Sequence, residues 1–208
     1  MPWRGQAFPG LDWGVAYSSK KGEAHSGDAY IIRTVPAGVL VAVVDGLGHG
    51  VEAHEAADRV VRLIERSADV DVSELMRRCH QVLLGTRGVV MSIAEFNITE
   101  NTLTWIGVGN VTGSLLRTDR GSDTPREGLL TRGGVVGLQL PSIFPTVKPL
   151  APGDVIVLAT DGVHPGLADH LSVEAPLQDI ADELLAAHAT GDDDALIFIG
   201  RFTGATGK

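Results

Sequence analysis

Val39-Leu-Val-Ala-Val-Val44 runs directly into Asp45-Gly46, and Val155-Ile-Val-Leu-Ala-Thr160 runs into Asp161-Gly162. Each run is the near-continuous, β-branched kind that fills a strand buried on both faces. Each also ends in a carboxylate followed by glycine. The last side chain is therefore delivered to the rim of a sheet, and the backbone can turn sharply behind it, bringing its carbonyl close to a ligand. Two further acidic sites flank strand-like runs: Gly27-Asp28 opens Ala29-Tyr-Ile-Ile32, and Asp192-Asp193-Asp194 precedes Ala195-Leu-Ile-Phe-Ile199. Carboxylates gathered at strand ends repel one another unless cations neutralise them. Hard oxygen ligands suit Mg²⁺ or Mn²⁺ rather than Zn²⁺, so the pattern predicts a binuclear metal hydrolase.

Outward from these runs, strands are expected near 13–18, 29–35 and 39–44, the last two joined by Pro36-Ala-Gly38, as a meander. After glycines 46, 48 and 50, Ala53, Ala56, Ala57, Val60, Val61 and Ile64 recur at helical spacing, with Glu52, Glu55, Asp58, Arg59 and Arg62 opposite. A second helix is expected from Asp71 or Ser73, with Leu75, Met76, Cys79, Val82 and Leu83 as its stripe and Gly85 as its stop. Strands follow over 89–98, 103–108 and 111–116, read as antiparallel sheet, then an exposed polar loop over 119–127. Pro152-Gly-Asp154 starts the strand that leads to Asp161, and Leu177, Ile180, Ala181, Leu184 and Leu185 mark a late helix. Helices and strands come in blocks. An α+β arrangement of packed antiparallel sheets covered by helices therefore fits better than a doubly wound parallel sheet.

The global numbers narrow the function classes. With 208 residues and 44% hydrophobic content, the chain can bury one substantial core, and a single domain over 1–208 is expected. A net charge of -9 argues against nucleic-acid and anionic-membrane surfaces as partners. The lone cysteine, Cys79, falls in a helical stripe rather than a nucleophile loop. Met1-Pro-Trp-Arg-Gly lacks the pattern of a secretion signal and no run is long enough to cross a bilayer, so a cytoplasmic protein is expected. Gly46-Leu-Gly48-His-Gly50 matches neither a phosphate-binding loop nor a dinucleotide fingerprint.

Taken in order, Gly27-Asp28, Asp45-Gly-Leu-Gly-His-Gly50, Gly107-Val-Gly109-Asn110, Ala159-Thr-Asp161-Gly162 and Asp193-Asp194 span nearly the whole chain. This series resembles the metal-dependent serine/threonine phosphatases of type 2C, the PPM family, and within it the short bacterial branch that serves stressosome signalling. The resemblance implies a four-layer α-β-β-α sandwich with a binuclear Mn²⁺/Mg²⁺ centre at one end. It implies that Asp45 bridges two ions, that the Gly46 carbonyl binds one, and that Asp28, Asp161 and Asp193 complete the protein ligands. Phosphorylated STAS-domain proteins of a stressosome are the substrates it implies.

Phosphate-monoester hydrolysis is among the slowest uncatalysed reactions. Two metals can acidify a water, align it for in-line attack and offset charge on the phosphoryl oxygens, without a phospho-enzyme. The bland readings stay open at Asp28, which suits a turn, and in the 192–194 triplet, where one carboxylate suits a cap. Gly107 and Gly109 suit tight packing and Asn110 a turn. His49 is a candidate general acid, alongside a helix-start role, but it lies two residues beyond the position where larger relatives carry histidine. The chain also lacks the N-terminal Arg-x-x-x-Glu-Asp pattern of those relatives, which leaves Arg33 or Lys20 as possible substitutes for the arginine that grips phosphate. Leu196 stands where relatives commonly have threonine. A catalytically weak phosphoprotein-binding module of the same fold is the alternative to an active enzyme.

Overall fold

The computed structural model describes residues 7–67, 70–117, 126–164 and 174–205. Strict alternation shapes the central strands. In β2 (Asp28–Val35) and β3 (Gly38–Gly46), Tyr30, Ile32, Val39, Val41 and Val43 enter one buried cluster, while Ile31, Leu40, Ala42 and Val44 enter another. Both faces are apolar because both are covered. β2 and β3 continue into β4 (Val89–Asn97), β5 (Thr102–Val108) and the edge strand β8 (Thr146–Pro149), giving the antiparallel order β2-β3-β4-β5-β8. The second sheet has the order β1-β10-β9-β6-β7, from β1 (Leu11–Ser18), β6 (Thr112–Leu116), β7 (Arg126–Leu129), β9 (Val155–Ala159) and β10 (Ala195–Phe202).

The two sheets pack face to face through the cluster that holds Tyr30, Val41, Trp105, Leu158 and Phe198. α1 (Val51–Arg66) and α2 (Val72–Val82) cover the outer face of the first sheet, contributing Ala56, Val60, Ile64, Leu75, Met76 and Cys79 to a second core. α3 (Leu177–His188) covers the outer face of the other sheet through Leu177, Ile180 and Ala181, against Val157, Ile197 and Ile199. The result is the expected α-β-β-α sandwich. α2 is started by Asp71, whose side chain accepts the N–H groups of Ser73 and Glu74 at 2.9 and 3.1 Å.

Two expectations need correction. β1 does not form a meander with β2 and β3; it pairs along its length with β10, Leu11 opposite Phe202 and Ser18 opposite Ala195. Similarly, β5 and β6 are neighbours in sequence but belong to different sheets. A continuous apolar run reports that both faces of a strand are buried, but carries no information about which strand lies beside it. The short edge strands β7 and β8 escaped notice because they are mostly exposed and polar, and β8 ends in proline.

Candidate metal centre

Both sheets present acids to the same rim. β3 ends at Asp45-Gly46, β2 begins at Asp28, and their register sets Asp28 opposite Asp45. On the other sheet, β9 stops at Ala159 so that Asp161 emerges just beyond it, and β10 begins at Ala195, directly behind Asp193 and Asp194. The glycine after each aspartate has a packing reason. A Cβ on Gly46 would lie 2.2 Å from the Ala53 carbonyl oxygen, and one on Gly162 would lie 1.9 Å from that of Asp194. Only glycine lets α1 and the acidic turn close onto the strand ends.

Asp45, Asp161 and Asp193 line one pocket of about 310 Å³, together with Leu47, Gly48 and Asn110. Asp28 stands outside that lining, 2% exposed. The Thr160 hydroxyl donates to Asp28 Oδ2 at 2.7 Å and accepts the Leu196 N–H at 2.9 Å, tying β2 of one sheet to β10 of the other. The leucine at 196 affects this link only through its backbone, since its side chain lies in the core between the sheets.

The triplet divides its labour. Asp193 faces the pocket, Asp192 is exposed, and buried Asp194 accepts the N–H groups of Lys20 and Gly27, both at 2.8 Å. Asp194 therefore clamps the segment that leads into β2. Asn110 is more than a turn residue: its Nδ2 donates to Asp161 Oδ2 at 2.7 Å and holds that carboxylate in place. Gly107-Val-Gly109-Asn110 was the only sequence signal for it, and Thr160 had none beyond its place before Asp161.

The electrostatics follow from this geometry. Burial foremost, then the charges of Asp161, Asp193 and Asp194, push the Asp45 carboxyl up to about 7. Burial likewise raises Asp28 well above the usual carboxylate range, with Asp45 adding to the rise and the Thr160 hydrogen bond opposing it. Among the described residues, no Lys, Arg or His side chain forms an ion pair with Asp28, Asp45, Asp161 or Asp193. Nor do three or more acidic, imidazole or thiol side chains among them come together closely enough, as they stand, to hold a metal ion. An open, all-oxygen, proton-avid rim fits hard divalent cations that keep several of their waters.

The remaining sequence candidates fall elsewhere. His49 is not part of the pocket lining; its exposed imidazole has Nδ1 2.7 Å from Glu23 Oε1. Gly46 is buried, and its N–H donates to the Gly27 carbonyl at 3.1 Å. Arg33 is occupied at the far end of β2, where its Nη1 donates to the carbonyls of Ile64 and Ser67, both at 2.6 Å. It lies five residues along the strand from Asp28, roughly 17 Å away. Lys20 reaches the site region through its backbone N–H on Asp194. Cys79 is buried on the inner face of α2, with its thiol pushed up to about 12 by burial. Of the loop expected over 119–127, residues 119–125 lie outside the described residues; Arg126 and Glu127 belong to β7, and Glu127 pairs with Lys148.

Comparison with known proteins agrees with this architecture. The two antiparallel sheets flanked by helices match the fold of PP2C phosphatase domains. The chain belongs to the Stage II sporulation protein E (SpoIIE) family, whose model matches residues 36–203. It is 27% identical to the phosphoserine phosphatase RsbX of Bacillus subtilis (strain 168) over 187 residues, 89% of this chain and 92% of that protein. Its fold matches a structure from work on the bacterial stressosome with a TM-score of 0.83, at 24% identity over 92% of this chain and 99% of the other. It also matches RsbX crystallised in complex with magnesium, with a TM-score of 0.82 at 24% identity over 93% and 96% of the two chains.

Proposed function

We propose that this chain hydrolyses phosphoserine or phosphothreonine on a regulatory protein, with two divalent ions, Mn²⁺ or Mg²⁺, as resident cofactors, in the cytoplasm. The observation that carries the reading is a carboxylate rim for which the described residues supply no paired cation, on a chain that is a relative of a phosphoserine phosphatase. Asp45, the Gly46 carbonyl, Asp28, Asp161 and Asp193 are the groups that would hold the ions. Bound there, the ions would supply an acidified water for attack and offset charge on the phosphoryl oxygens.

The chain's own groups prepare the site. Thr160 orients Asp28, Asn110 orients Asp161, and Asp194 pins the backbone that carries Asp28. Because Asp45 holds its proton up to about 7, ion binding competes with that proton and releases it near neutral pH. Residues 1–208 acting as one domain, and phosphorylated STAS-domain proteins of a stressosome as substrates, complete the proposal. The second reading, a binding module of the same fold, is favoured by His49 being held on Glu23 outside the pocket. Phosphate release from a phosphorylated STAS-domain protein, measured with Mn²⁺ and with chelator, separates the two. Release only with Mn²⁺ supports the enzyme; stable binding with no release at saturating Mn²⁺ supports the module.

A further inference from the structure

A guanidinium lies beside one residue of the acidic pocket's lining, without itself being part of that lining. Arg87 lies in the turn between α2 and β4, and its Nη1 is 2.7 Å from where a Cβ on Gly48 would sit. Gly48 lines the pocket beside Asp45, Asp161 and Asp193. It has φ +85°, so a side chain there would be strained and would displace the guanidinium.

The placement is built rather than incidental. Thr86 Oγ1 donates to the Leu83 carbonyl at 2.7 Å and accepts the Gly88 N–H at 3.0 Å, which fixes the turn on both sides of Arg87. The Gly88 carbonyl accepts the Leu47 N–H at 3.1 Å, so this turn is bonded to the loop that carries Gly48. Glu52, in the first turn of α1, pairs with Arg87 Nη2 and leaves Nη1 as the nitrogen against Gly48. Stability does not account for this arrangement. An exposed ion pair contributes little, and a cation beside a helix N-terminus opposes its dipole. Other arginines are used elsewhere: Arg33 on the end of α1, Arg117 on Asp154, and Arg132 over the Phe144 ring at 5.2 Å.

We infer that Arg87 binds the phosphoryl oxygens of the substrate, with Glu52 as the positioning residue that aims its guanidinium. The inference rests on the phosphatase reading above. A phosphomonoester dianion entering a pocket walled by carboxylates needs a donor on the open side, and a planar guanidinium presents paired N–H groups matched to phosphate. Arg87 is the guanidinium next to the pocket residue Gly48.

The test is calorimetric titration of inorganic phosphate into the Mn²⁺-loaded wild type, Arg87→Ala, Arg87→Lys and Glu52→Gln, with steady-state kinetics on a phosphoserine peptide in parallel. Arg87→Ala should raise both the phosphate Kd and KM by roughly 10- to 100-fold, with Mn²⁺ affinity unchanged. Arg87→Lys, which keeps the charge but loses the fork, should recover part of that loss. Glu52→Gln should raise KM by a smaller factor with kcat and Tm preserved, which a merely structural role would not do. Phosphate binding that is undetectable in the wild type, or equal in Arg87→Ala, overturns the inference and leaves a plain surface ion pair. Arg87-dependent phosphate binding without peptide turnover would instead sustain the inference and defeat the phosphatase reading.

Discussion

Two aspartates in this molecule are each 2% exposed, yet they stand in opposite chemical situations. Asp154 lies just before β9, at the end of that strand away from Asp161. Its Oδ2 accepts from the Arg117 guanidinium at 2.7 Å and from the Ala151 N–H at 2.9 Å, so its charge is neutralised within the fold. Asp28 has a hydroxyl donor in Thr160, but the charges around it are those of Asp45, Asp161 and Asp194. A buried acid is therefore not in itself the mark of a functional site. The mark is a cluster of acids for which the described fold supplies no cation, because like charges in a low-dielectric setting cost stability unless something from outside compensates them.

The largest expected effect comes from removing one member of the uncompensated cluster. Asp45→Asn should lower Mn²⁺-dependent phosphate release by about 10³-fold or more, since a metal's charge stabilisation is worth several kcal/mol in the transition state. Above about pH 7, where Asp45 is ionised, the same change should raise the melting temperature of the metal-free protein by deleting a repelling charge. Turnover that survives Asp45→Asn at saturating Mn²⁺ would break the metal assignment.

The compensated aspartate should respond in the opposite sense. Arg117→Ala leaves Asp154 buried beside an empty position and should cost about 3 kcal/mol of folding stability in chemical denaturation, with kcat/KM little changed. A loss of activity without a loss of stability would erase the contrast between the two ends.

Supplying the missing cation should stabilise almost as much. Mn²⁺ at about 100 times its dissociation constant should add roughly 2.7 kcal/mol to folding. Melting curves that coincide with and without chelator would count against an ion site.

The most gradual effect is one of pH. Asp45 loses its proton near 3.8 in the unfolded chain and at about 7 in the fold. Between those values the native state binds more protons than the unfolded one, so the stability of the metal-free protein should fall as pH rises from acid toward neutral and level off above it. The slope is at most about 1.4 kcal/mol per pH unit for one group. Saturating Mn²⁺ should flatten that slope. A metal-free protein whose stability rises steadily over the same range would show that Asp45 is compensated after all.

Much of this was legible in the residues. The two runs into Asp-Gly marked β3 and β9, the alanine and leucine stripes marked α1 and α2, and the acids at 28, 45, 161 and 193 reach one rim because strand ends are fixed by where the apolar runs stop. Local pattern suffices there, since it is written in neighbouring residues. Which sheet each strand joins was not written there: β1 beside β10, and β5 parted from β6, are choices among pairings of nearly equal local quality. The division of roles within 192–194, the hold of Asn110 on Asp161, the diversion of Arg33 to the end of α1 and the seating of Arg87 against Gly48 depend on residues far apart in the chain. Sequence alone determined the chemical groups and the strand ends that carry them. Only the tertiary structure decided which acids are compensated and which are not, because compensation depends on distance in space.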